Sequence, residues 1–165
     1  MSKQRKVGGL IACLVAILAF SVLFILGVTG VFINQYTELD DEYYCEGECT
    51  TELEELTEES YERLLEEKKS FVVFVDQIGC DTADNLRGFT MDYFPEQGVK
   101  IYKMMFSTLK TTSLHEKVKY YPSLVIISKG EVKSFLRADS DEDAGAFNEY
   151  GKFIDWVNKR VIFRK

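Results

Sequence analysis

Four cysteines and one histidine are the side chains here best suited to chemistry beyond charge pairing: Cys13, Cys45, Cys49, Cys80 and His115. Cys13 lies inside a long apolar run, where a thiol behaves as small apolar filler. Cys45 and Cys49 bracket Glu46-Gly47-Glu48, and Gly47 allows a tight loop that a local disulfide would close. The competing arrangement joins one of that pair to Cys80 across a loop of about thirty residues, and loop entropy separates the two by only ~1.5–2 kcal/mol. Three cysteines outside the apolar run are an odd number, so one is free or pairs with another chain. We expect a Cys45–Cys49 bridge with Cys80 free.

Cys80 stands where a helix is predicted to start, and unpaired N–H groups at such an end favour a thiolate. Asp81 and Asp84 place two carboxylates in the same first turn, and like charge opposes that effect. Cys45, Cys49, Cys80 and His115 are ligand types that suit zinc or copper, but no spacing fixes them together, so no metal site is expected. His115 reads as a solvated helix residue. The acids from Asp139 to Asp143 lack the glycine and terminal glutamate of a calcium loop and read as a helix cap. Phosphate-loop, nucleophile-elbow and zinc-protease motifs are absent, and no cofactor is expected.

The chain has 165 residues, and from Val7 to Thr37 none of them is Asp, Glu, Lys, Arg or His. The apolar core of that run, Leu10 to Ile33, exceeds the ~20 residues needed to cross a hydrocarbon layer. A cleaved signal peptide shares the basic start, but its apolar region is shorter and ends in a small-residue cleavage site that is missing here. Leu10-Ile11-Ala12-Cys13 looks like a lipoprotein box, yet most of the apolar stretch follows the cysteine instead of preceding it. Lys3, Arg5 and Lys6 precede the run and no Lys or Arg follows until Arg63, so the N-terminus is expected in the cytoplasm and the remainder outside it. The expected location is a single-pass cell-membrane protein held through this helix. Net charge is −7, and every acid lies beyond the run, which excludes a nucleic-acid partner.

From Glu38 to Glu67 there are 14 acids and one base, Arg63. Such a stretch is predicted to extend as a spacer, becoming helical where Leu53, Leu56, Tyr61, Leu64 and Leu65 recur at three- and four-residue steps after Thr57. An acidic binding surface is the functional alternative to a solvated stalk. Phe71 to Val75 is a continuous apolar run expected of a central strand, Asp81 to about Tyr93 a helix, and Val99 to Phe106 a second strand. Ser113 to Glu116 reads as a capping box opening a short helix that Pro122 must end. Ser123 to Ile127 is a third strand, turning at Lys129-Gly130 into a partner over Glu131 to Leu136. One last helix, capped near Asp139 or Ser140, aligns Phe147, Tyr150, Ile154, Val157 and Val161. The expected organisation is a cytoplasmic tail (1–6), a signal-anchor helix (7–37), an acidic juxtamembrane stalk (38–56) and an α/β domain (57–165) with a mixed sheet between helices.

That order, with a cysteine after the first central strand and a proline before the third, resembles the thioredoxin fold. Tyr121-Pro122-Ser123-Leu124-Val125-Ile126-Ile127-Ser128-Lys129-Gly130-Glu131 is similar to the thioredoxin segment in which a cis-proline enters a strand that turns into a hairpin. Phe71-Val72-Val73-Phe74-Val75-Asp76-Gln77-Ile78-Gly79-Cys80 is similar to the strand and loop that deliver the attacking cysteine. The resemblance runs from about Glu52 to Phe163. It implies a cis Tyr121–Pro122 peptide, a groove beside Tyr121 and Pro122, and Cys80 as attacking thiol. Three departures stand against it: Ala83 replaces the resolving cysteine, Phe74 the buried carboxylate and Gly79 the tryptophan. The implied function is engagement of thiols or disulfides of exported client proteins through Cys80, as an oxidoreductase or isomerase-like protein lacking the Cys-x-x-Cys pair. The alternative is a non-catalytic module that uses the groove to hold a peptide or membrane-complex partner.

Overall fold

The computed structural model describes residues 36–164. The tail 1–6, nearly all of the expected anchor over 7–37, and Cys13 lie outside the described residues. Among the described residues, no helix is long and apolar enough to cross a membrane.

In chain order the elements are β1 (Thr37–Glu38), β2 (Glu54–Glu55), α1 (Glu58–Glu66), β3 (Phe71–Asp76), α2 (Asp81–Glu96), β4 (Tyr102–Met105), α3 (Phe106–Leu109), β5 (Ser123–Ser128), β6 (Glu131–Phe135), α4 (Ala144–Asn148), α5 (Tyr150–Asn158) and β7 (Val161–Ile162). Five strands form one sheet in the order β2-β4-β3-β5-β6. β2, β4 and β3 are parallel, while β5 and β6 run antiparallel to their neighbours. β1 and β7 pair separately, in parallel.

β3 is buried at every residue, and the reason lies in its alternation. Val72 and Phe74 point into one apolar cluster with Leu86, Phe94, Phe153 and Val157 from α2 and α5. Phe71, Val73 and Val75 point into a second cluster with Tyr61 and Leu64 of α1 and with Leu109, Leu114 and Val118. A strand covered on both faces needs no polar side, so its sequence reads as a continuous apolar run. Parallel central strands, an antiparallel hairpin at one edge and helices on both faces make a thioredoxin-like fold.

Residues 38–56 are not a spacer. Leu39, Tyr43 and Leu56 are buried, β1 and β2 pair with β7 and β4, and Tyr44 bridges Val99. The acids around them stay outside and find cations: Lys69 pairs with Glu42 at 3.1 Å, and Arg164 with Asp41. Charge density hid Leu39 and Tyr43, which reach the core, and Leu56, expected on a helix, is buried just past β2 instead.

Three further elements differ from expectation. The last helix is two, broken where Glu149 adopts an extended backbone (φ −128°, ψ 115°), and Val161 belongs to β7. The first of them starts after Asp143, so neither Asp139 nor Ser140 caps it. Asp143 instead accepts from the Arg137 backbone N–H at 2.9 Å and from the Trp156 indole at 3.1 Å, which accounts for its burial. Ser113–Glu116 is a 3₁₀ turn without a capping box, because Ser113 N–H and Oγ–H both engage the Glu62 carboxylate of α1. The Thr57 start of α1 does carry a reciprocal box with Ser60.

Candidate functional site

The register of the central strands decides which loops meet. Asp76, the last residue of β3, pairs with Met105, the last of β4, and Val75 pairs with Ser123, the first of β5. The loop Gln77–Cys80, the start of α3 and the Tyr121–Pro122 entry to β5 therefore share one end of the sheet.

Asp76 is followed by Gln77, exposed Ile78 and Gly79, whose φ of 79° lies in the left-handed region that glycine adopts without steric cost. That turn delivers Cys80 to the N-cap of α2. Its carbonyl accepts the Ala83 and Asp84 N–H groups at 2.9 and 3.1 Å, while its thiol makes no capping bond. Cys80 is the free cysteine among the described residues and is partly exposed. Ala83, one turn on, is fully buried.

Opposite this loop, the Tyr121–Pro122 peptide is cis, and Ser123 Oγ donates to the Leu136 carbonyl at 2.8 Å. The Tyr121 ring lies on Phe106, centroids 3.6 Å apart, and the Lys110 ammonium sits 4.4 Å from the Phe106 ring centre. Tyr120, next to this stack, is exposed.

Cys45 and Cys49 are disulfide-bonded, with Cα atoms 5.5 Å apart. Cys45 N–H donates to Gly98 O at 2.8 Å, which pins that loop just past the C-terminus of α2. Cys80 is at the other end of the same 16-residue helix, a distance of roughly 24 Å along its axis. Cys80, Ala83, Tyr121 and Pro122 thus lie at one end of the sheet, and Cys45 and Cys49 lie at the other end of α2. His115 sits in the 3₁₀ turn, and among the described residues no three His, Cys, Asp or Glu side chains converge on one point.

One part of the site was not read from the sequence. Asp76 is a buried carboxylate four residues before Cys80, its side chain 6% exposed, and it is clamped by Arg87 through Nη2 at 2.6 Å and Nε at 3.1 Å. The remaining fork of Arg87 reaches Asp84 at 2.6 Å. Bonds to Asp76, then to Asp84, hold the guanidinium pKa above its ordinary value against the opposing effect of burial. One cation therefore ties the end of β3 to the first turn of α2 and is shared by a carboxylate on each side of the Cys80 loop. The signals were an aspartate closing an otherwise apolar strand and an Asp84/Arg87 pair at i, i+3.

No family model matches the chain, and no curated protein sequence does. Solved structures that it resembles include a proposed oxidoreductase with a thioredoxin fold, at 15% identity and TM-score 0.45, over 59% of this chain and 94% of the other. The J-Trx1 fragment of ERdj5 is similar at 16% identity and TM-score 0.42, over 64% of this chain and 52% of that one. A chain from a complex of ferredoxin:thioredoxin reductase with thioredoxin f2 is similar at 12% identity and TM-score 0.39, covering 62% and 97%.

Proposed function

We propose that this chain is a membrane-anchored, extracytoplasmic protein that engages thiols or disulfides of exported client proteins through Cys80. The observation that carries the reading is the placement of a free, partly exposed thiol at the N-cap of α2, on the sheet end that also presents Pro122. In such a reaction the Cys80 thiolate attacks one sulfur of a client disulfide, forming a Cys80–client bond and releasing the other client sulfur as thiolate. Ala83 offers no second thiol, and the Cys45–Cys49 pair is at the far end of α2, so resolution falls to another thiol of the client or of a second protein. The released Cys80 then returns to its starting state.

A second reading, a non-catalytic interaction module, draws on Ala83 and on the exposure of Ile78 and Tyr120, 80% and 57%, either side of the site. Cells carrying the full chain, quenched with acid and alkylated, should show mixed-disulfide adducts on non-reducing gels that vanish in Cys80→Ser. Absence of adducts with undiminished partner capture by Cys80→Ser would replace the thiol reading with the module. The anchor and its orientation rest on the uncharged run and the Lys3, Arg5, Lys6 cluster. External protease on intact cells should digest the domain, and protection until permeabilisation would reverse the orientation.

A further inference from the structure

The five-stranded sheet ends at β6, which has a strand neighbour on one side only among the described residues. Beside it lies a cleft of about 530 Å³ lined by Val132, Phe135 and four cations, Lys117, Lys133, Arg137 and Arg160. The two acids of the cleft, Glu142 and Asp143, are both engaged by Arg137, and Asp143 also holds the Trp156 indole. Arg160 is half-buried and has no carboxylate partner among the described residues; it donates to Ser134 Oγ at 2.8 Å and to the Trp156 carbonyl at 2.9 Å and stacks on the Trp156 ring. Burial pushes the Arg160 pKa below its ordinary value; Asp143 opposes that shift, and the charge of Arg137 adds to it by less than Asp143 offsets. In a chain of net charge −7, three cations with no acid partner among the described residues thus line a cleft beside one edge strand.

Edge protection explains part of this. The β5–β6 register passes from Ile126↔Ser134 to Ile127↔Val132 and leaves Lys133 as a bulge, and a lysine on a bulged edge discourages pairing with other strands. The lysine's share of that protection is selective by charge. A second copy offering the same edge would bring lysine towards lysine, whereas a strand rich in carboxylates would convert the penalty into attraction. An extended segment places alternate side chains on one side, and carboxylates two residues apart can then address neighbouring cations.

We propose that the β6 edge and its basic cleft are a docking site for an acidic, extended segment of a partner protein, added as a strand beside β6 with its carboxylates on Lys117, Lys133 and Arg160. This site is separate from Cys80 and does not depend on the thiol reading.

The test uses the full chain in detergent micelles with a fluorescein-labelled Glu-Val-Glu-Val-Glu-Val peptide and its Gln-for-Glu counterpart. Anisotropy should report saturable binding of the acidic peptide alone, weakened about tenfold by the double substitution Lys117→Glu and Lys133→Glu, and by a similar factor on raising salt tenfold. Both lysines are exposed, so circular dichroism should show an unchanged fold, and Cys80→Ser should bind the peptide as wild type does. Amide exchange at 131–135 should slow when peptide is bound. No binding, equal binding of the Gln peptide, or binding indifferent to the charge reversals would overturn the proposal. Unchanged exchange along β6, or displacement by inorganic phosphate at concentrations too low to act through ionic strength, would likewise replace it with a small-anion site.

Discussion

Arg87 is the side chain whose loss should cost the domain most for its exposure. Without it, Asp76 keeps a buried charge with no cation, a situation that costs about 3 kcal/mol or more when a buried pair is broken from one side. Arg87→Met should therefore lower the urea midpoint markedly, whereas Asp76→Asn combined with Arg87→Met should lower it by less than the two single changes added together, because one interaction is lost in all three. A second expectation concerns the thiols: alkylation without reductant, followed by peptide mass mapping, should label Cys80 alone among the cysteines of the domain, with Cys45 and Cys49 labelled only after reduction. Linkage of Cys80 to either of them would contradict it. The places of Cys80, Tyr121 and Pro122 at the ends of strands were readable from the sequence because two contiguous motifs carry them. The Asp76–Arg87 pair was not, since its partners are eleven residues apart and meet only through the rotation of α2 against β3.

The hairpin between β5 and β6 depends on two consecutive left-handed residues, Lys129 at φ 52° and Gly130 at φ 77°. A Cβ at position 130 would drive into the Leu65 carbonyl at the end of α1, so Gly130→Ala meets both a backbone and a packing penalty. We expect it to lower the thermal midpoint by several degrees, corresponding to a loss of about 1–2 kcal/mol, while Gly88→Ala, in open space on α2, should be neutral or stabilising. Elements with an unambiguous local signal were legible: β3, β5, α2 and the turn at Lys129-Gly130 all lie close to where the residue pattern puts them. The final helix was not, because Phe147, Tyr150, Ile154 and Val157 keep a helical spacing across Glu149, where the backbone itself breaks. Periodicity records which side chains face the core and is silent about one residue turning extended between them.

At the scale of the whole domain, the second apolar cluster carries two hydroxyls with nothing to bond. Tyr43 and Tyr61 are buried, and their oxygens make no hydrogen bond among the described residues. Burial raises both pKa values well above the ordinary tyrosine value. In the unfolded chain the same groups ionise near pH 10, so above that pH the unfolded state has lost protons that the folded state retains. The contribution of these two groups to stability should be level below about pH 10 and fall as pH rises beyond it. Urea midpoints at pH 8 and pH 10.5 should differ for the wild type and differ less for the Tyr43→Phe, Tyr61→Phe double variant. The extent of the domain was the least legible feature, because its first strand and the Asp41–Tyr43 turn lie in a segment dominated by acids, with β1 finding its partner at the opposite end of the chain. That closure has a mechanical consequence. Thr37 N–H bonds to Arg160 O at 2.7 Å, Arg164 pairs with Asp41 and lies over the Tyr44 ring, and Tyr44 Oη reaches Ile162 O. Tension arriving along the backbone at Thr37 is passed to β7 and α5 before it reaches β3. A domain pulled from Thr37 should therefore part its two ends first, and the Asp40–Ser70 bonds, next along the chain, are where load would enter the start of β3.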